Sequence, residues 1–330
     1  MNYNECMDRL WRAASQGLPL PADVHVASLT AILALLRVAI WNDHGHTVTD
    51  LLRRFRGLFG SRGILYLVRR DVGHQMTPLA FAALHGSDDA VSALVEAKAS
   101  MTNYRGAAVK PIYLAASRDH GSCVSLLIAL KASVDEPGPC GDTPVADAAL
   151  RGDFTAVTHL LAANADVNLA DQFGQAPLFY VSRHGCVSAV RALMGACADV
   201  DGEYGRSPLV EAAWYGNLDV VQALVDAAAD VNAFSNYGLT ATARAADQGH
   251  VAVLSVLVRA KADLDVATPV GSALCQAARY GRVQTVSLLL ESKANAALAD
   301  HFGETPLTLA RRHGHSDVVA LLLEAEAASE

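Results

Sequence analysis

The chain has 330 residues with a formal net charge of −8, 52% hydrophobic residues and only 6% aromatics. That acidic balance argues against a nucleic-acid partner, because most of the surface would repel phosphates. Six cysteines (Cys6, Cys123, Cys140, Cys186, Cys197 and Cys275) are scattered without a close pair of metal-ligand spacing. The expectation is reduced thiols inside the cell, cytoplasmic or nuclear, with no metal and no cofactor.

Residues 1–71 read as an N-terminal segment of worn copies of the unit that recurs downstream, or as a cap for it. Leu10 to Gly17 predicts a first helix, Val24 to Trp41 an overlong second one, and Thr47 to Val68 a further copy lengthened around Gly60-Ser61-Arg62-Gly63. The 18 residues from Val24 to Trp41 contain His25 and Arg37, so they suit a buried helix better than a membrane span. Charge divides near the same place: residues 1–70 hold nine Arg against five acids, which leaves the remainder at −12. Leu51–Arg70 carries six Arg and no acid, interleaved with Leu52, Phe55, Leu58, Phe59, Ile64, Tyr66 and Leu67. Such a stretch suits a cap with a solvated Arg face and, as an alternative, peripheral contact with an anionic membrane or an acidic partner.

From residue 72 onward one unit recurs eight times. Its copies start at Thr77, Lys110, Thr143, Ala176, Ser207, Thr240, Ser272 and Thr305, in steps of 31 to 33 residues. A fixed period of this length predicts a stacked helical solenoid. Thr77 and Thr305 are placed to cap a helix, with Pro78 and Pro306 at its first position. A small pair follows, as in Ala82-Ala83 or Ala245-Ala246, which lets neighbouring helices approach closely. Gly86, Gly152, Gly185, Gly216, Gly249, Gly281 and Gly314 then end the first helix, and runs such as Val220-Val221-Gln222-Ala223-Leu224-Val225 form an apolar second helix.

The sequences Gly303-Glu304-Thr305-Pro306-Leu307, Gly249-His250, Asp166-Val167-Asn168 and Asp230-Val231-Asn232 resemble the ankyrin-repeat family over residues 72–326. The resemblance implies an all-α ankyrin solenoid of helix-turn-helix units with projecting β-hairpin-like loops, eight of them stacked over 72–330. One departure is systematic. Where the family has Gly after the second helix, this chain has Lys98, Lys131, Asn164, Cys197, Ala228, Lys261, Lys293 and Glu326. Four of its five lysines stand there, where a cation near a helix C-terminus offsets part of the left-handed strain.

Catalytic signatures are missing: there is no Gly-x-x-x-x-Gly-Lys loop, no His-Glu-x-x-His, no Cys-x-x-Cys and no nucleophile elbow. His313-Gly314-His315 and His184-Gly185-Cys186 cluster only because the repeat places them at a helix end. The expectation is a non-catalytic binding surface.

In the family, ligands meet the loop tips and the two residues before the Gly that ends the first helix. Those helix positions include Arg118, Arg151, Arg183 and His184, Trp214 and Tyr215, Arg279 and Tyr280, and Arg312 and His313. Five of the sixteen such positions are Arg, where 21 Arg in 330 residues predict about one. Phe173, Tyr204, Tyr237 and Phe302 precede the loop Gly and add an aromatic row. Arg and aromatics carry most binding energy at interfaces. The expectation is therefore a scaffold or adaptor whose concave groove binds a peptide or protein that is acidic with apolar anchors. A substrate-recognition or regulatory subunit of an enzyme complex is the alternative. Asn168 and Asn232, each eight residues after Leu160 or Leu224, also match the family's asparaginyl hydroxylation pattern.

Overall fold

The computed structural model describes residues 3–21, 29–67, 76–99, 110–138, 141–202 and 205–329, without the side chains of 3–7, 29–30, 57–67 and 328–329. It divides into two compact units, Met1–Gln172 and Phe173–Glu330. Unit 1 contains α1 (Tyr3–Gln16), α2 (Leu29–Trp41), α3 (Gly45–Leu67), α4 (Pro78–Leu84), α5 (Asp88–Glu96), α6 (Pro111–Ala116), α7 (Gly121–Ala129), α8 (Pro144–Arg151) and α9 (Phe154–Ala162). Unit 2 contains α10 (Pro177–His184), α11 (Val187–Gly195), α12 (Pro208–Tyr215), α13 (Leu218–Asp226), α14 (Ala241–Gln248), α15 (Val251–Arg259), α16 (Ala273–Arg279), α17 (Val283–Glu291), α18 (Pro306–His313) and α19 (Ser316–Ser329).

Each of the eight copies folds as a helix pair, and within a unit the helices stack in two rows. In unit 1, α2, α4, α6 and α8 form the first row and α3, α5, α7 and α9 the second. In unit 2, α10, α12, α14, α16 and α18 form one row and α11, α13, α15, α17 and α19 the other. Local chemistry sets the starts: Thr77, Thr143, Ser207, Thr240, Ser272 and Thr305 each accept the N–H three residues on, at 3.2 to 3.4 Å. Lys110 and Ala176 cap without a side-chain bond and rely on the Pro that follows. The small pairs are fully covered, from Ala82 and Ala83 through Ala277 and Ala278.

Within each unit a donor row ties most repeats to the one before. The first helix ends with unpaired carbonyls, and the residue opening the next repeat's second helix reaches back to them. In unit 1, Ser87 Oγ donates to Ile40 O at 2.7 Å and His120 Nε2 bonds Leu84 O at 3.2 Å. In unit 2, Asn217 bonds Ser182 O and Arg183 O, His250 bonds Trp214 O, Arg282 bonds Asp247 O and His315 bonds Arg279 O. These bonds hold the backbone of the very residues that end the first helices. Gly216 shows why that end is Gly: φ is 73°, and a Cβ there would meet the His250 ring at 2.7 Å.

Two expectations for the N-terminal region change. The second helix predicted over Val24–Trp41 begins, among the described residues, at Leu29 and stands in the first row against α4. Its Leu35, Leu36, Ala39 and Ile40 are all fully buried and, with Ala31 and Ile32, form the covered face of the helix. The copy predicted over Thr47–Val68 is one unbroken helix, α3, which passes through Gly60 and Gly63 and packs on α5 in the second row. The boundary at 71/72 lies outside the described residues.

The closing position of the second helix is left-handed in seven copies: Lys98, Lys131, Asn164, Cys197, Ala228, Lys261 and Lys293 have φ of 60° to 65°. The eighth, Glu326, differs, because α19 continues through it to Ser329.

Candidate functional site

Helix-end arginines in this chain fall into two kinds. Arg151 is held by Asp147 of its own helix at 2.8 Å, and Tyr113 Oη donates to the same carboxylate at 3.4 Å. Arg279 bonds Asp300 at 3.1 Å, where the Asp300 carboxylate is fully buried and also accepts the Phe302 and Glu304 N–H groups. Arg312 binds both oxygens of Glu304, at 2.7 and 2.8 Å. These three guanidiniums are neutralised within the chain. Arg118 is exposed at the end of α6, and His184 and His313 are exposed at the ends of their helices.

Arg183 belongs to the second kind. Its guanidinium lies 5.2 Å from the Tyr215 ring centroid, and no carboxylate among the described residues pairs with it. It opens onto a pocket of about 250 Å³ formed by α10, α12, α14 and the loop around Tyr237. The aromatic wall is Phe179, Trp214, Tyr215 and Tyr237, with the Trp214 and Tyr215 rings 5.7 Å apart. Arg206 and Arg244 also line it. Arg244 stacks on Trp214 with its guanidinium carbon 3.9 Å from the ring centroid, lies 3.8 Å from Asp247, and has an Nε buried without a partner. Stacking of this kind fixes the indole face and the cation together.

Among the described residues Glu211 is the pocket's one acid. Burial pushes its carboxyl above the usual carboxylate range, and the nearby Arg183, Arg244 and Arg206 oppose that rise. Among the described residues none of the three comes within ion-pair distance of it. Asp247 is likewise pushed up by burial, against its hydrogen bond from Gln248 and the charge of Arg244.

The structure thus gathers four of the predicted residues, Arg183, Trp214, Tyr215 and Tyr237, into one pocket. Tyr280 stays exposed at the end of α16, and Phe173 and Phe302 remain exposed loop tips, Phe302 with its ring against His301. Tyr204 lies outside the described residues, as do the side chains of 57–70 in the basic segment. Of that segment's earlier arginines, Arg54 turns inward, donating to Leu20 O and Pro21 O and pairing with Asp50 at 3.3 Å, while Arg53 and Arg56 are exposed.

Arg206, Glu211 and Arg244 are the residues that the family's helix-end positions do not include. Glu211 and Arg244 occupy one register position, just ahead of the small pair, where the copies read Phe81, Leu114, Asp147, Tyr180, Glu211, Arg244, Gln276 and Leu309. The signal was the variability of that position directly before the nearly constant small residue. On a helix it stands one turn before the predicted pair and so shares their face.

The loops are joined in register. In unit 2, Asp230 N–H donates to Asp201 Oδ1 at 2.6 Å, Asp263 N–H to Asn232 Oδ1 at 2.8 Å, and Asn295 N–H to Asp265 Oδ1 at 2.8 Å. In unit 1, Asp166 N–H donates to Asp135 Oδ1 at 2.8 Å, and Asn168 is exposed beside it. A single isolated bridge, Phe234 with Thr240, is the hairpin character these loops show among the described residues.

Among the described residues no three His, Cys, Asp or Glu side chains gather as a metal site. His315 is tied to the Arg279 carbonyl at 3.0 Å, so its position is set by the donor row. The Cys123 thiol, buried and beside Asp88, is pushed up to about 12, which leaves it protonated and unreactive. Cys123, Cys186 and Cys275 are free thiols. No described helix is long and apolar enough to cross a membrane.

A family model described as ankyrin repeats in three copies matches residues 81–171, 145–235 and 242–329. The match runs through both units and carries the Arg183–Trp214–Tyr215 surface with it. Helix pairs in two rows, a capped Pro-led first helix, small pairs at the interface and loops bonded in register all agree with that model. The chain therefore belongs to the ankyrin-repeat family, whose repeats are generally protein–protein interaction modules.

Proposed function

We propose that this protein is a non-catalytic scaffold or adaptor that holds a segment of a partner protein against the first-helix ends and loop tips of unit 2. The observation that carries this reading is the pocket itself: an unneutralised Arg183 beside Trp214, Tyr215 and Tyr237, in a chain whose other groove cations mostly have internal partners. Aromatic and Arg anchors are the side chains that dominate interface energetics. The partner reads as an acidic segment with apolar anchors, since the surface offers a cation framed by exposed rings.

The test is a proximity-labelling comparison of the wild type with Arg183→Glu/Tyr237→Ala. Arg279 is left intact, because its bond to Asp300 makes it part of the loop. Loss of a defined set of proteins by a variant with unchanged circular dichroism is the expected result. An unchanged set would move the site elsewhere on the repeats. The hydroxylation reading of Asn168 and Asn232 is tested by intact mass of protein from its native cell, where one added oxygen is expected and an unmodified mass would remove it. Asn232 Oδ1 accepts the Asp263 N–H at 2.8 Å, which ties this side chain to the next loop.

A further inference from the structure

We propose that the pocket of unit 2 is a carboxylate socket: it takes one Asp or Glu side chain of an extended partner peptide between Arg183 and Arg206, with an adjacent apolar residue on Tyr237 and Trp214. The proposal rests on the binding reading above and assigns the chemistry of its central contact.

Charge sets the class of occupant. Counted over the described residues, the pocket's three guanidiniums stand against Glu211 in the lining and against Asp247 beside Arg244, which leaves one net positive charge. One positive charge matches a carboxylate. A phosphate carries nearly two negative charges at neutral pH and would sit beside Glu211 uncompensated. A cationic or neutral side chain would leave Arg183 unneutralised against the aromatic wall.

Geometry divides the roles. Arg244 is occupied twice, stacked 3.9 Å over Trp214 and near Asp247, so it serves as a fixed base for the indole. Arg183 is exposed and, among the described residues, is paired only with the Tyr215 ring, which leaves its planar fork of N–H donors available. Glu211, half-buried and without an ion pair among the described residues, faces the same space and can accept a main-chain N–H from the peptide. A pocket of about 250 Å³ admits one side chain and its neighbour, not a folded element. Tyr237, 66% exposed at the loop tip, covers the apolar neighbour.

The socket is tested with the full chain against a phage-displayed library of random dodecapeptides. Enriched peptides are then synthesised with a fluorescent label and both ends blocked. The expected result is enrichment of an Asp or Glu beside an aromatic or aliphatic residue. Arg183→Gln and Arg206→Gln should each weaken these peptides about tenfold or more. Replacing the peptide's acid by its amide should cost as much, but only on the wild type. Glu211→Gln should tighten binding, because it removes the like charge and keeps an acceptor.

Enriched peptides without an acid, or affinities unmoved by Arg183→Gln in a variant with wild-type circular dichroism, would overturn the socket and leave groove binding standing. Enrichment only of peptides with a free C-terminal carboxylate would overturn the side-chain assignment. A tightening on Arg183→Gln would also overturn it. Failure of the wild type to enrich any sequence would overturn the binding reading and the socket together.

Discussion

The carboxyl group of Asp153 is packed against that of Asp119, at the position where neighbouring repeats place a hydrogen-bond donor. Asp153 Oδ1 caps α9 by accepting the Ala156 N–H at 2.9 Å, but Oδ2 is buried without a partner. Burial and the neighbouring Asp119 both push the Asp153 carboxyl above the usual range. Ser87 and His120 in unit 1, and Asn217 in unit 2, show what the position holds elsewhere.

Asp153→Asn should therefore stabilise the protein. The amide oxygen keeps the cap, and the amide N–H replaces the unpartnered Oδ2 with a donor facing Asp119; the gain expected is on the order of 1 kcal/mol. Because the folded-state pKa is raised, the proton on Asp153 favours folding below the unfolded carboxylate range and that contribution is lost as pH rises through the folded value. The advantage of Asn should be largest at neutral pH and shrink on acidification. Urea unfolding of both proteins across that range reads it directly. A gap that widens toward low pH would refute the assignment.

Asp119 carries a second cost. It stands where other copies have the Gly ending the first helix, and it adopts φ of 62°. Asp119→Gly should remove both the left-handed strain and the like charge, for a gain of about 1–2 kcal/mol. Ala228→Gly, at φ of 62° in unit 2, isolates the backbone part and should gain about 1 kcal/mol. Gly216→Ala is the converse: strain at φ of 73° plus the contact with His250 should cost more than Ala228→Gly gains. Thermal melts of the three variants order these effects.

Much of the repeat register is legible in the residues because each fixed position has a local reason. Thr240 caps, Ala245 and Ala246 allow close helix contact, and Gly249 turns left-handed, so the pattern can be read without a partner repeat. The N-terminal helices are less legible. Leu35, Leu36 and Ile40 of α2 belong to a nearly continuous apolar run, and such a run does not say which row it joins; contact with α4 decides that. The candidate surface is legible by position but not by state. Arg183, Arg279 and Arg312 look alike in the repeat, yet Asp300 and Glu304, contributed by a loop before α18, engage only the latter two.

That distinction between Arg183 and Arg279 is itself measurable. Asp300 is fully buried at its carboxylate and needs Arg279 as its charge partner, so Arg279→Ala leaves a buried anion with backbone donors alone. The expected loss is about 2 kcal/mol of stability. Arg183→Ala removes an exposed side chain whose described contact is the Tyr215 ring, and exposed cation–π contacts contribute about 0.5–1 kcal/mol. Chemical denaturation should separate the two by more than 1 kcal/mol, with Arg279 the greater. If binding assays then reverse the order, with Arg183→Ala losing the partner and Arg279→Ala retaining it under conditions where both are folded, the two arginines have divided stability and recognition between them. Equal losses of stability would show that Arg183 is held by the fold in the same way as Arg279, and the groove's free cation would have to be sought at Arg118 or Arg206.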